Sequence, residues 1–476
     1  MDSTPFFYRH MAKNVLLIAL SVIALPISTA ILAACWILIP SVTKNKHEES
    51  RKTILVTGVS MSKGLTMSRL LARYTPHRII GADIEPIPFT SPGRYSHSIS
   101  EFFRLEPPKE EDAKPYINCL LSVLEKEKVD LWIPCSSVGS AVTDGIIARL
   151  ATEKLGSTFR SIQFPPEVVR KLDDKASFMS YIASLGLRTP ESHRCTAVDD
   201  VMRILFPPKK EKNKFAMPHK YILKPLGVDD RARARMMTPL PLGTRKLTEA
   251  YLHDLGVSKK NPFQLQQLIS GSEYCTHALI VHGVVRAFTA CPSSDLLMHY
   301  KPLHPSSKIH REMLQFTQKV AEHKGISFTG HMAFDFLVHG EGDNIEIYPI
   351  ECNPRVHTAV VLFSEMPEMA HALLEVPVNN PSTAVDVIFP QKLDSGYYWI
   401  GHDLVTLFII PVLEMLMGYA TWQSCKMDLK KFLRHLRYWS DGTFSLWDPL
   451  PFWVLYHVYW PAQFVRSLLY NKPWSR

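Results

Sequence analysis

An α/β unit followed by α+β units, carried behind one N-terminal membrane helix, is predicted by three features of this 476-residue chain. An apolar run of 25 residues without a charge stands near the N-terminus, from Val15 to Ile39. A strand, glycine turn and helix pattern opens at Thr53 and is followed by further alternation of strands and helices. Two strand-like runs, Met332–Val338 and Ile345–Arg355, meet across the turn-forming stretch Gly340–Asn344 as a hairpin. A composition 46% hydrophobic and 21% charged is that of a folded chain, long enough for two or three domains. The net charge of +9 is scattered and has no nucleic-acid signature beside it, so it is read as affinity for membrane surface and phosphate, with no nucleic acid as partner. Eight cysteines without CxxC spacing indicate reduced cytosolic thiols, with neither a cysteine zinc site nor a disulfide framework.

Taken in order, residues 1–50 form the anchor and its linker. At about 1.5 Å per residue, a 15–39 helix crosses a hydrocarbon core of about 30 Å. Pro26 kinks such a helix without abolishing it. The run exceeds the about 7–15 apolar residues of a cleaved signal, so an uncleaved single-pass anchor is expected. Flanking charges, Arg9 and Lys13 before and Lys44, Lys46, Arg51 and Lys52 after, do not set its orientation. Residues 51–165 read as a Rossmann-like domain: strand Thr53–Thr57, turn Gly58–Gly64, a helix to about Tyr74, strand Arg78–Asp83, and then helix, strand Val129–Pro134, and helix from Ser140. The turn lacks a close-set Gly-x-Gly-x-x-Gly, so Asp83 is not taken as a dinucleotide ligand.

Residues 166–375 open with one helix from Val168 towards Gly186, for which Asp173 or Asp174 is the cap and Lys175 lies in the first turn. Lys224, inside the apolar strand Lys220–Pro225, calls for an anionic partner such as phosphate. Strands Phe263–Ile269 and Tyr274–Val281 and a helix His310–Lys324 precede the hairpin. A hairpin turn centred near Asp343 sets Asp335 opposite Glu351, and strand alternation puts Asn353 on the same face as Glu351. Three hard oxygen ligands suit Mg²⁺ carrying nucleotide phosphates, with Arg355 beside them to meet phosphate charge; an acidic, solvated hairpin face is the simpler alternative. Pro349 implies an edge or a bulge. Residues 376–476 form an aromatic-rich helical region whose 14-residue apolar block, Leu404–Met417, reads as a core or interfacial helix, not a second span.

In chain order, Leu172–Lys175, Ile222–Pro225, Gln266–Glu273, Phe334–Asp335 and Glu351–Arg355 resemble the motif series of the ATP-grasp ligase superfamily. Gly271–His277, Ile350–His357, Tyr398–His402 and Asp448–Phe452 carry a narrower resemblance to mycosporine-glycine synthase-like ATP-grasp enzymes of secondary-metabolite biosynthesis. The resemblance implies an ATP-grasp fold, in which two α+β subdomains clasp ATP behind the Rossmann-like domain. It implies that Lys175 and Lys224 hold phosphates, that Gln266, Gln267 and Ile269 form the hinge strand receiving adenine, and that Glu273 takes the ribose hydroxyls. Asp335, Glu351 and Asn353 would hold Mg²⁺, for which Mn²⁺ can substitute, with Arg355 and Lys224 as catalytic groups. The activity implied is ADP-forming ligation of a carboxylate or vinylogous acid to an amine, on a membrane-tethered enzyme facing the cytosol where ATP is, alongside other pathway enzymes. A carboxylase or phosphotransferase, or a catalytically decayed scaffold, are the alternatives on the same fold. The chain departs from the pattern at Leu226–Arg235, where Arg231, Arg233 and Arg235 replace a glycine-rich flap, at Gln266 in place of an acid, and at Ala333 in place of an arginine. His277, His331 and His357 are candidate bases by location, while Cys275 and Cys352 read as packing residues.

Overall fold

The computed structural model describes residues 6–38, 51–107, 112–135, 138–207, 220–225, 238–293, 298–340, 342–376 and 386–470. The flap at 226–235, with its three arginines, and the linker at 41–50 lie outside them.

The continuous apolar runs after residue 52 become strands β1 (Thr53–Thr57), β2 (Arg78–Ile84), β3 (Phe102–Leu105), β4 (Leu131–Pro134) and β5 (Arg160–Ser161). They pair in parallel in the order β3-β2-β1-β4-β5. Such runs are stable only when both faces are covered. One face packs Leu55, Ile80 and Trp132 against Leu120, Leu124 and Ile147. The other packs Ile54, Val56 and Ile133 with Leu71, and with Val360, Phe363 and Met369 from far downstream. The turn after β1 needs its glycines: Gly58 has φ +73°, and a Cβ on Gly64 would stand 2.4 Å from the Gly58 carbonyl oxygen. Asp83 is absorbed by this turn, accepting Ser60 N–H at 2.6 Å and Ile84 N–H at 2.7 Å.

Downstream, β6 (Ser192–Cys195), β7 (Tyr221–Pro225) and β8 (Phe263–Gln267) make an antiparallel sheet in the order β6-β8-β7. There follow β9 (Ser272–Val281), β10 (Val284–Pro292), β11 (His299–Tyr300), β12 (Gly330–His339), β13 (Glu346–Asn353), β14 (Tyr397–Tyr398) and β15 (Ser440–Asp441). A four-stranded antiparallel sheet has the order β10-β9-β12-β13, and β11, β14 and β15 form a small third sheet in the order β11-β14-β15. Helix Lys308–Lys324 covers the larger sheet, with Phe316 edge-on to Phe334 and Phe336 at 5.1 Å. Pro349 sits on the edge strand β13 and beside a register slip that leaves Ile350 unpaired, so the edge and the bulge occur together.

Two expectations are corrected. The helix expected from Val168 is two helices, Pro166–Asp173 and Lys175–Ser184, because Asp174 turns extended (ψ 115°) and its carboxylate caps the second by accepting Ser177 N–H at 2.9 Å. The hinge strand stops at Gln267, leaving Ile269 buried in the connection to β9.

Among the described residues, one helix is long and apolar enough to cross a membrane, over Asn14–Leu38 within Phe6–Leu38. Its apolar side chains Val22, Ile23, Ile27 and Ile37 point outwards. Asn14, Ser21 and Ser28, seven residues apart, face the C-terminal helical stretch 450–470: Asn14 Nδ2 donates to Ser467 Oγ (3.2 Å), Ser21 Oγ to the Tyr456 carbonyl (2.8 Å), and Ser28 Oγ meets His457 Nε2 (2.5 Å). That stretch is tied to the parallel sheet through Asp448, which is fully buried and receives Arg69 Nε (2.8 Å), Ser96 Oγ (2.6 Å) and His97 N–H (2.8 Å). The block from Leu404 is helical and, far from forming core, exposes Leu413, Leu416 and Met417.

Candidate active site

The hairpin register gathers the predicted oxygen ligands. Asp335 pairs with Glu351 and Ala333 with Asn353. Asn353 Nδ2 donates to Asp335 Oδ2 at 3.1 Å and reaches Glu351 Oε1 at 3.5 Å, while its Oδ1 accepts from Arg355 Nη1 at 2.6 Å. Lys175, in the first turn of its helix, places Nζ 3.1 Å from Glu351 Oε2. Five of the predicted residues therefore share one spot. Burial, and then the Glu351 charge beside it, push the Asp335 carboxyl well above the usual range. Burial acts on Glu351 in the same direction, but Lys175 and the donors around it hold Glu351 low. A like-charge pair of this kind is relieved by a cation.

The donor set fits a hard divalent ion, with two carboxylates and one amide on a single sheet face. Turning the Asn353 amide over would direct Oδ1 at the carboxylates, an exchange of O and N that its hydrogen bonds alone set here. Lys175 and the Asn353 amide now supply the positive ends.

Lys224, Gln266 and Gln267 form a second group, on the three-stranded sheet. Lys224 Nζ donates to Gln266 Oε1 at 2.6 Å. Gln267 Oε1 accepts Glu191 N–H at 3.1 Å. Glu273 is exposed on β9 beside Leu337 of β12, accepts Ser293 Oγ–H at 3.0 Å, and adds to the negative field on Asp335.

Of the candidate bases, His277 and His357 each have one ring nitrogen engaged, while both ring nitrogens of His331 and Nε2 of His277 are buried without a hydrogen bond among the described residues. His277 Nδ1 accepts His357 N–H (3.3 Å), and His357 Nδ1 accepts Ala359 N–H (3.2 Å) as a helix cap. His277 and His331 are buried with rings stacked at 5.2 Å. Desolvation pushes His331 and His357 down to about 3, and His277 also down, so all three are neutral. Cys275 and Cys352 are buried with thiols pushed up, Cys352 by burial and Cys275 chiefly by its bond with Cys291, which fits packing roles.

Two residues are not legible in the sequence as members of this site, Asp173 reading there only as a helix cap. Lys63 lies in the first turn of helix Ser62–Tyr74, just past the carboxyl end of β1, within electrostatic reach of Arg355, Asp83 and Asp144; desolvation brings it down to about 8. Asp173 lies within reach of Arg355, Glu351 and Lys175. Both belong to stretches whose other members drew attention, the turn glycines and the Asp174 cap, and neither carries a period that marks it.

No protein-family model matches the chain, and no curated protein matches it. Solved structures similar to it include L-amino acid ligase from Bacillus licheniformis, at 15% identity and TM-score 0.47 over 72% of this chain and 78% of that one. N5-carboxyaminoimidazole synthetase from Staphylococcus aureus aligns at 15% identity and TM-score 0.47 over 71% and 81%. Biotin carboxylase from Campylobacter jejuni aligns at 15% and 0.49 over 70% and 72%.

Proposed function

We propose that the chain is an ATP-dependent, ADP-forming carboxylate-amine ligase with an ATP-grasp site, anchored to a membrane by its N-terminal helix with the catalytic part in the cytosol. The observation that carries this reading is the Asp335/Glu351 carboxylate pair on one hairpin face, with Asn353, Lys175 and Arg355 converging on it. Mg²⁺ held by Asp335, Glu351 and Asn353 would neutralise the triphosphate and orient its phosphates. Lys175 exchanges Glu351 for a phosphate oxygen, and Arg355 leaves Asn353 Oδ1 for the transferred phosphoryl group. Lys224 meets phosphate, Gln266, Gln267 and Ile269 frame adenine, and Glu273 accepts the ribose hydroxyls. Lys63 receives the acid substrate, since ligands of parallel sheets bind beyond the carboxyl ends of the strands.

The chemistry follows from the leaving group. A carboxylate or vinylogous acid oxygen attacks the γ-phosphorus and ADP departs; the amine then attacks the activated carbon, loses a proton, and inorganic phosphate departs. Direct condensation would have to expel hydroxide. An amino acid as amine and a specialised metabolite as acid complete the reading.

The test is ADP release by the detergent-solubilised chain across a panel of organic acids and amino acids, with the adduct identified by mass. Amine-dependent ADP release that Glu351→Ala abolishes, in a protein that still melts cooperatively, is expected. ADP release without an amine would instead assign a carboxylase or phosphotransferase, and wild-type turnover in Glu351→Ala would remove the metal assignment.

A further inference from the structure

A second cluster of ligating side chains lies outside the hairpin. His299 on β11, Asp403 at the end of helix Ile400–Asp403, and His435 near the end of helix Trp422–Tyr438 come from three distant segments. One nitrogen or oxygen from each lies within 4.8 Å of the other two. His435 Nδ1 is 2.6 Å from Asp403 Oδ2, and His299 Nε2 is 3.4 Å from Oδ1 and 3.5 Å from Oδ2. We propose that His299, Asp403 and His435 bind a divalent transition-metal ion of the zinc class.

Chemistry, spacing and surroundings agree on this. Two imidazoles and one carboxylate are a three-ligand set of the kind that leaves a fourth position open on zinc. Ligands about 2.0–2.2 Å from one ion stand roughly 3–3.5 Å apart, which matches the His299 contacts and asks the His435 pair to open by roughly half an ångström. Asp403 is 2% exposed and His435 5%, and a carboxylate so buried is costly unless a positive charge meets it, which a divalent ion supplies.

The rings are held before any ion arrives. Trp439 stacks on His435 at 4.4 Å and lies 4.6 Å from His299, and His402 Nδ1 stands 3.6 Å behind Asp403 Oδ1 as an outer partner. His435 and Trp439 also line a cavity of about 880 Å³ whose wall carries four basic side chains, Lys301, Lys430, Lys431 and Arg434, and one acid, Asp394. That wall favours an anion or water on the open position. Next along β11, Tyr300 sets its ring edge-on to His357 at 5.5 Å, so the cluster adjoins the segment that follows Arg355.

The test uses the full chain in detergent, stripped with a strong chelator. Zn²⁺ titrated against a chromophoric chelator should show one tight equivalent per chain, and metal analysis after gel filtration should recover it. His299→Gln and Asp403→Asn should each weaken it by at least roughly 100-fold, beyond the loss typical of outer-shell partners, while Glu351→Gln leaves it unchanged. Co²⁺ loaded into the wild-type chain should give the visible bands of a low-coordinate site, which provides a readout should a variant misfold. Absence of a tight equivalent in the folded wild-type chain would reduce the cluster to a hydrogen-bonded triad and overturn the proposal, as would full retention in both variants or loss in Glu351→Gln.

Discussion

Asp448 and Asp335 are both withdrawn from bulk water, yet the chain treats them in opposite ways. Asp448 receives a guanidinium, a hydroxyl and a backbone N–H, all inside 2.9 Å, and joins two parts of the fold. Asp335 receives one amide at 3.1 Å and faces another carboxylate. A structural acid has its charge met by fixed donors, whereas in the Asp335 pair Lys175 meets Glu351 and Asp335 itself has no cation in hydrogen-bond contact among the described residues. The contrast separates stability from function residue by residue.

The largest effect expected is on stability. Asp448→Ala leaves the Arg69 guanidinium buried with carbonyl partners but without its carboxylate and should cost about 3–5 kcal/mol in denaturant unfolding of the solubilised chain. Asp335→Asn should leave stability equal or higher, because it removes like-charge repulsion, while ADP release falls roughly 10²–10³-fold. If the two variants lost stability alike, the contrast would fail.

A pH series sharpens it. Because Asp335 is raised in the folded state, its ionisation disfavours folding, so with chelator present the melting temperature should decline as pH climbs above the ordinary carboxylate range of about 4. Glu351 is lowered, so its contribution is present above that range and is lost as pH falls through its folded value. Asp335→Asn should remove the alkaline decline and keep the acid one; Mg²⁺ with nucleotide should flatten the alkaline side in wild type. Lys63→Met should raise the KM for the acid at least about 10-fold with kcat for bound substrate little changed, as for a lost binding contact of about 1.4 kcal/mol. The smallest effect belongs to Ser28→Ala in the helix seam, about 0.6 kcal/mol, read by thermal unfolding in detergent or bilayer.

The hairpin was legible in the sequence because its turn is local and two-residue alternation keeps Glu351 and Asn353 on one face; the strands beside the turn pair His339 with Glu346, and the slip at Ile350, of which Pro349 was the sequence sign, brings Asp335 opposite Glu351. The parallel sheet was legible for a similar reason, since its apolar runs and glycine turn are local signals. Arg69 with Asp448, or His299 with Asp403 and His435, leave no such trace. Their partners lie up to 379 positions apart and meet only because several elements pack at once. The break at Asp174 lay between these extremes: the cap was visible, but the helix before it was not, because nothing periodic separates two helices that abut.

The seven-residue seam ties the first helix to the last, and this sets a schedule for biogenesis. Ser21 and the Tyr456 carbonyl are separated by 435 positions, so at about 5–20 residues per second the ribosome delivers the partner on the order of tens of seconds after the first helix emerges. Until then Ser21 lacks its C-terminal partner, while Ser28 Oγ can already donate to the Ala24 and Leu25 carbonyls of its own helix. A chaperone that shelters that face would govern yield, and truncations before residue 450 would leave the first helix without its C-terminal partners.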